Sequence, residues 1–169
     1  MKKTTKLIAS ALTAVAIFLG SNVYAQTSEK SAWRLGFGLE GGIPTGDIED
    51  GSSFQLGGTA RLQYGVSDNL ALTLTSGYYN FFGKNNVEDL SLVPVKLGLK
   101  TFFTDNLYFG AEAGAGFETR DNGNTKLLLA PALGWADQHW DFGVKYENFS
   151  GSDSNYGVVG LRVAYGFGL

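Results

Sequence analysis

From Trp33 onward, apolar residues recur at every second position, in eight runs separated by polar or glycine-rich connections. A period of two marks strands whose two faces meet different surroundings. The runs cover residues 33–43, 54–64, 70–79, 91–103, 107–118, 126–135, 140–149 and 156–169. In the first, Trp33, Leu35, Phe37, Leu39 and Ile43 share a face; in the fifth, Leu107, Phe109, Ala111, Ala113, Ala115 and Phe117 do so. The sixth is ambiguous, because Leu127, Leu128 and Leu129 fit either face.

The opposite faces hold a different population. They carry glycines (Gly36, Gly57, Gly98, Gly114 and Gly160 among them) and eleven charges: Arg34, Glu40, Arg61, Lys96, Lys100, Glu112, Glu118, Asp141, Lys145, Glu147 and Arg162. Six are basic and five acidic, so the set is nearly neutral. On this register no charge falls within an apolar face, and Lys126 lies at a strand end. The connections alternate as well. Residues 47–53, 80–89, 119–125 and 150–155 form long polar links; residues 65–69, 104–106 and 136–139 form short ones. Strict alternation of long and short links predicts an all-β fold, an eight-stranded antiparallel up-and-down barrel with both chain ends on the short-turn side.

Two barrels have this pattern, and they differ in which face is inside. A soluble carrier keeps apolar residues within. A transmembrane barrel turns them out to lipid and keeps polar groups within. Glycine favours the second. It weakens a strand and has no use on a solvent face, but a narrow eight-stranded interior needs small residues. Enclosed charges then have to pair, which the near-neutral balance permits. Aromatics near the strand ends on the apolar faces form a candidate girdle at the two lipid interfaces: Trp33, Phe54, Tyr64, Tyr78, Phe103, Phe117, Trp135, Trp140, Tyr146, Tyr165 and Phe167. Pro94 and Pro131 interrupt predicted strands, and a closed barrel has no edge to accommodate a missing N–H. Each is expected to mark a bulge or a strand end.

The amino terminus changes the context. Lys2, Lys3 and Lys6 precede an uncharged stretch over residues 7–19, and Val23 and Ala25 stand at −3 and −1 before Gln26. This is the pattern of a secretory signal peptide over residues 1–25, cleaved after Ala25, which leaves residues 26–169 as the barrel domain. Thirteen helical residues span about 20 Å, short of the roughly 30 Å of hydrocarbon a transmembrane helix must cross. An exported chain without such a helix can still enter a membrane as a closed barrel.

Composition narrows the chemistry. The 169 residues include no cysteine and one histidine, and the net charge is −3. Disulfides, thiolate metal sites and cysteine nucleophiles are excluded, a histidine-based metal site is disfavoured, and the acidic balance argues against nucleic acid as a partner. No cofactor or metal is expected.

Four stretches carry a resemblance: GGIPTGD (41–47), LQYGVSDNLALTL (62–74), VPVKLGLKTFFTDNLYFGAEAGAGF (93–117) and GLRVAYGF (160–167). They resemble the small outer-membrane β-barrel family common in Bacteroidetes, often labelled porin-like. The resemblance implies an OmpA/OmpX-type wall in the bacterial outer membrane, with outer-membrane lipid and the outer-membrane assembly machinery as partners. Members usually end on an aromatic residue; here Phe167 is followed by Gly168 and Leu169.

A lipid hydrolase or acyltransferase would gather His, Ser and a carboxylate near the outer leaflet. His139 lies instead in a short turn between Trp135 and Trp140, on the side assigned to the periplasm. The interior charges read as a network that largely plugs the lumen, with a narrow pore for ions or small solutes as the alternative. The acidic stretches at residues 47–51 and 88–89 lack the spacing of a calcium loop. The expected function is therefore non-catalytic: an outer-membrane barrel whose loops support the envelope or meet an external ligand. A soluble periplasmic carrier is the remaining rival.

Overall fold

A computed structural model describes residues 32–46, 48, 51–84, 88–120, 123–151 and 155–169. The signal-peptide region and the acidic tip Asp47, Glu49 and Asp50 lie outside the described residues. Eight strands follow one another: β1 (Trp33–Gly46), β2 (Ser52–Ser67), β3 (Leu70–Gly83), β4 (Leu90–Phe102), β5 (Leu107–Glu118), β6 (Thr125–Ala136), β7 (Trp140–Ser150) and β8 (Tyr156–Gly168). Each pairs antiparallel with the next. β1 pairs with β8 from Arg34↔Gly168 to Gly46↔Tyr156, which closes the sheet. Closure leaves no strand edge, the condition under which a sheet can lie in hydrocarbon. No helix long and apolar enough to cross a membrane occurs among the described residues, which says nothing of strands.

Apolar side chains face outward. Leu39 is 67% exposed, Leu97 68% and Leu161 62%, whereas Lys96, Thr75 and Glu147 are fully buried. A soluble barrel would show the reverse. Strands of 11 to 16 residues meet or exceed the roughly 9–11 that a tilted strand needs to span a bilayer. The first three run further than the alternation predicts. β1 continues to Gly46, which has φ +79°, and β2 pairs with β3 out to Ser52↔Gly83 across an irregularity at residues 52–54. A second irregularity, between Gly65 and Ser67, tightens the β2–β3 turn to Asp68 and Asn69.

The expectation for the prolines is corrected. Neither Pro94 nor Pro131 ends a strand or shifts the register. β4 keeps one register with β3 on both sides of Pro94, and β6 with β7 on both sides of Pro131. Only local pairs are missing, where the proline nitrogen faces one neighbour. Beside Pro94, Ser76 Oγ donates to its free carbonyl at 2.9 Å, so the gap is partly bridged from the neighbouring strand.

Glycine shapes the interior at two positions. Gly57 pairs with Tyr79 and Gly134 with Tyr108. A Cβ on Gly57 would lie 2.2 Å from a Tyr79 ring carbon, and one on Gly134 would lie 2.4 Å from the Tyr108 hydroxyl and ring. Each interior tyrosine thus lies flat over a glycine of the adjacent strand, and its hydroxyl reaches the middle of the lumen.

Candidate functional site

The lumen holds two knots of charge, each organised by one of these tyrosines. In the first, nearer the loop end, Tyr79 Oη donates to Glu40 Oε2 at 2.5 Å and accepts from Lys96 Nζ at 3.0 Å and Lys145 Nζ at 3.1 Å. Glu40 also binds Lys145, and its other oxygen accepts from Arg162 Nη1 at 2.8 Å. Glu147 pairs with Lys96 at 2.5 Å and with Lys145 at 2.8 Å. In the second, nearer the short turns, Tyr108 Oη donates to Asp141 Oδ1 at 2.7 Å. Lys100 binds Asp141 Oδ2 at 2.7 Å and lies 3.8 Å from the Tyr108 ring centroid. Arg61 binds Glu112 at 3.0 Å. Lys96 and Glu112, 3.3 Å apart, join the knots.

The two arginines are held alike. Arg162 donates to Thr59, which donates to Glu40. Arg61 donates to Thr75, which donates to Glu112. A threonine thus bridges each arginine to its glutamate, Thr59 from the strand beside Glu40 and Thr75 from the strand beside Arg61. Such charge-assisted bonds in a water-poor interior are strong only while every partner is present.

Two of the predicted interior charges stand apart from the knots. Arg34 closes the short-turn mouth: its guanidinium donates to the carbonyls of Asp137 at 3.2 Å and Gln138 at 2.5 Å. Glu118 is half-buried at the loop end, where its carboxylate accepts the Asn124 N–H at 3.1 Å.

Three interior features were missed by the alternation. Lys126, read as a strand-end charge, is buried, with its ammonium 5.9 Å from the Tyr156 ring centroid. The tyrosine hubs Tyr79 and Tyr108 were unassigned; the only signal was their cross-strand pairing with glycine, which requires the register. The loop end of the lumen is apolar. Phe81, Leu92, Leu128, Phe149, Tyr156 and Val158 pack there as a cluster, with Phe149 and Tyr156 stacked at 4.7 Å. Leu128 inside and Leu127 and Leu129 outside settle the ambiguous sixth register.

The candidate girdle residues lie on the outer face. Trp33, Tyr64, Phe103, Trp135, Trp140, Tyr165 and Phe167 gather at the short-turn end, while Phe54, Tyr78, Phe117 and Tyr146 stand toward the loops. Within the short-turn group, Trp33 meets Tyr64 at 4.7 Å, and separately Trp140 meets Tyr165 at 5.2 Å and Tyr165 meets Phe167 at 5.1 Å. His139 joins the second of these sets, its ring 5.5 Å from that of Tyr165.

Outside the span, two carboxylates tie down connections. Asp137 accepts the Trp140 N–H at 2.6 Å and the His139 N–H at 2.7 Å, which hold its pKa below the usual carboxylate value. Asp89 accepts from Gly83 N–H and Asn80 and is lowered in the same way. No metal-ligating cluster occurs among the described residues.

No family model and no curated protein matches the chain. Solved structures do. The chain is similar to Ail, the attachment invasion locus protein of Yersinia pestis, with a TM-score of 0.59 at 14% identity over 82% of this chain and 99% of Ail. It is similar to a de novo designed transmembrane β-barrel (0.53, 16%, 82% and 98%). Neisserial surface protein A also matches (0.51, 14%, 80% and 97%). At such identities the likeness is one of fold: the chain is an eight-stranded transmembrane β-barrel.

Proposed function

We propose that the chain is a non-catalytic protein of the bacterial outer membrane, a closed barrel whose lumen is blocked and whose loop end faces outward. The observation that carries this reading is the cross-lumen network. Ion pairs link β1, β2, β4, β5, β7 and β8 through the middle of the barrel, and the Phe81–Phe149–Tyr156 cluster fills the space above it. An eight-stranded interior is just wide enough for its own side chains, so a filled lumen is the economical arrangement. The apolar exterior and the aromatic belts support the membrane assignment. The signal peptide, cleavage after Ala25, insertion by the outer-membrane assembly machinery and an external ligand at the loops belong to the same reading. They draw on the amino-terminal pattern and on a topology that gathers the longer connections at one end.

Cell fractionation with heat-modifiable gel mobility tests the location. The protein should partition with the outer membrane and migrate as a compact band that shifts on boiling. Recovery in the soluble periplasm would overturn it. Planar-bilayer recording tests the blocked lumen: no steady single-channel current is expected. A current that changes when Lys96 and Glu112 are replaced together would establish a pore.

A further inference from the structure

The lumen is richer in cations than its carboxylates account for. Among the described residues, Arg34, Arg61, Lys96, Lys100, Lys145 and Arg162 face Glu40, Glu112, Asp141 and Glu147, an excess of two positive charges within the wall. Every one of the four carboxylates is already engaged. Glu40, Glu112 and Glu147 each hold two cations, and Asp141 holds Lys100 with Arg61 at 3.7 Å. Asp137, in the β6–β7 turn, faces Arg34, which leaves one positive charge without a carboxylate.

Two small hollows lie toward the short-turn end of the lumen. One, of about 20 Å3, is bordered by Arg61, Lys100, Lys145 and Arg162, with Glu112 as its carboxylate. The other, of about 30 Å3, opens toward the short-turn mouth beside Arg34 and His139, with Asp141 as its carboxylate. Arg61 and Arg162 border both. Arg162 is 4% exposed, and its Nε–H is buried with no acceptor among the described residues. A buried guanidinium N–H normally finds a partner, and an orphaned donor in a low-dielectric wall is costly.

We infer that the Arg61–Arg162 hollow is a binding site for a single small inorganic anion of halide size, entered from the short-turn mouth past Arg34. Size selects the class. A site needs roughly 10–15 Å3 to hold one water-sized particle, so these hollows admit a monatomic ion and exclude phosphate, sulfate and organic carboxylates. Charge selects the sign, because guanidinium and ammonium groups with no free carboxylate attract an anion. The anion accepts from Arg162 Nε, lies between the two guanidinium groups and offsets the remaining surplus charge. The inference rests on the closed barrel and its interior register, and holds whether or not the lumen conducts.

The test uses the full mature chain refolded in phospholipid bilayers, with sodium chloride, sodium bromide and sodium gluconate at one ionic strength. The folded-to-unfolded ratio in urea should rise saturably with either halide, by about tenfold when the halide stands at ten times its dissociation constant. It should stay flat in gluconate, which is too large to enter. Arg162→Lys keeps a cation for Glu40 but removes Nε, and should abolish the halide response. Equal stability in all three salts, or an undiminished response in Arg162→Lys, overturns the site. If that variant does not fold, crystals of the unaltered protein soaked in bromide decide. An anomalous peak between Arg61 and Arg162 supports the site, and its absence rejects it.

Discussion

Tyr79 and Glu40, on strands that are not neighbours, meet at 2.5 Å in the centre of the lumen, and the same tyrosine oxygen accepts from Lys96 and Lys145. The hydroxyl is the hub of the upper knot. Tyr79→Phe should cost about 2 kcal/mol, because it leaves charged partners short of one bond. Glu40→Gln should cost more, roughly 3–5 kcal/mol, since it strips Lys145 and Arg162 of their shared counter-charge. Urea unfolding of the refolded barrel in lipid measures both. Equal losses would show that the hydroxyl and the carboxylate act as one unit.

Arg34 latches the β6–β7 turn to the barrel mouth through two carbonyls. Arg34→Ala should free that turn at a global cost of roughly 1–3 kcal/mol. Hydrogen exchange at the 137–139 amides should accelerate, while that of the central strands changes little.

Gly114 and Gly58 separate close packing from open space. A Cβ on Gly114 would lie 2.0 Å from the Val95 carbonyl oxygen, whereas one on Gly58 meets nothing within 4 Å. Gly114→Ala should lower the yield of the compact gel band and cost about 3 kcal/mol through backbone overlap. Gly58→Ala should fold as well as the parent.

Leu97, 68% exposed near mid-strand, reports on the surrounding medium. In a bilayer, Leu97→Arg should cost roughly 2–4 kcal/mol, falling to about 0–1 for arginine near an interface. Leu127→Arg, at the loop end of β6, serves as that comparison. Urea titration in lipid vesicles of both variants checks the contrast. Two equal and negligible losses would mean that the outer face meets water.

The turn carboxylate Asp137 should make the short-turn mouth sensitive to acid. Its pKa is lowered by the Trp140 and His139 N–H groups. Its stabilising effect is therefore present above the usual carboxylate pKa of about 4 and is lost as pH falls through the lowered value. Exchange of the His139 and Trp140 amides, corrected for intrinsic rates, should accelerate below about pH 4. Asp137→Ala should remove that pH dependence.

The strand alternation was legible because a barrel wall sorts side chains strictly by parity, and one face of each strand meets one medium. Leu39 and Glu40 are adjacent in the chain and opposite in environment for this reason. Pro94 and Pro131 misled because a missing N–H suggested a broken strand. In a closed sheet the flanking pairs hold the register, and only one ladder opens locally. Lys126 misled because its place near a strand end concealed an inward direction. The apolar loop-end cluster was hidden because Leu92, Phe149 and Val158 have the parity of charged neighbours on their strands, and parity alone does not distinguish a plug from a salt bridge.

The order of strands, the parity of every face but the sixth and the alternation of link lengths were determined by the sequence itself, since each depends on local period and turn chemistry. Which charges meet was decided only by the closed sheet. Glu40 and Lys145 are separated by 105 positions, and Arg162 and Glu40 by 122. Their contact depends on the stagger of eight strands around a cylinder and on Gly57 and Gly134 making room for two tyrosines. Those are properties of the cross-strand register, which no single strand carries.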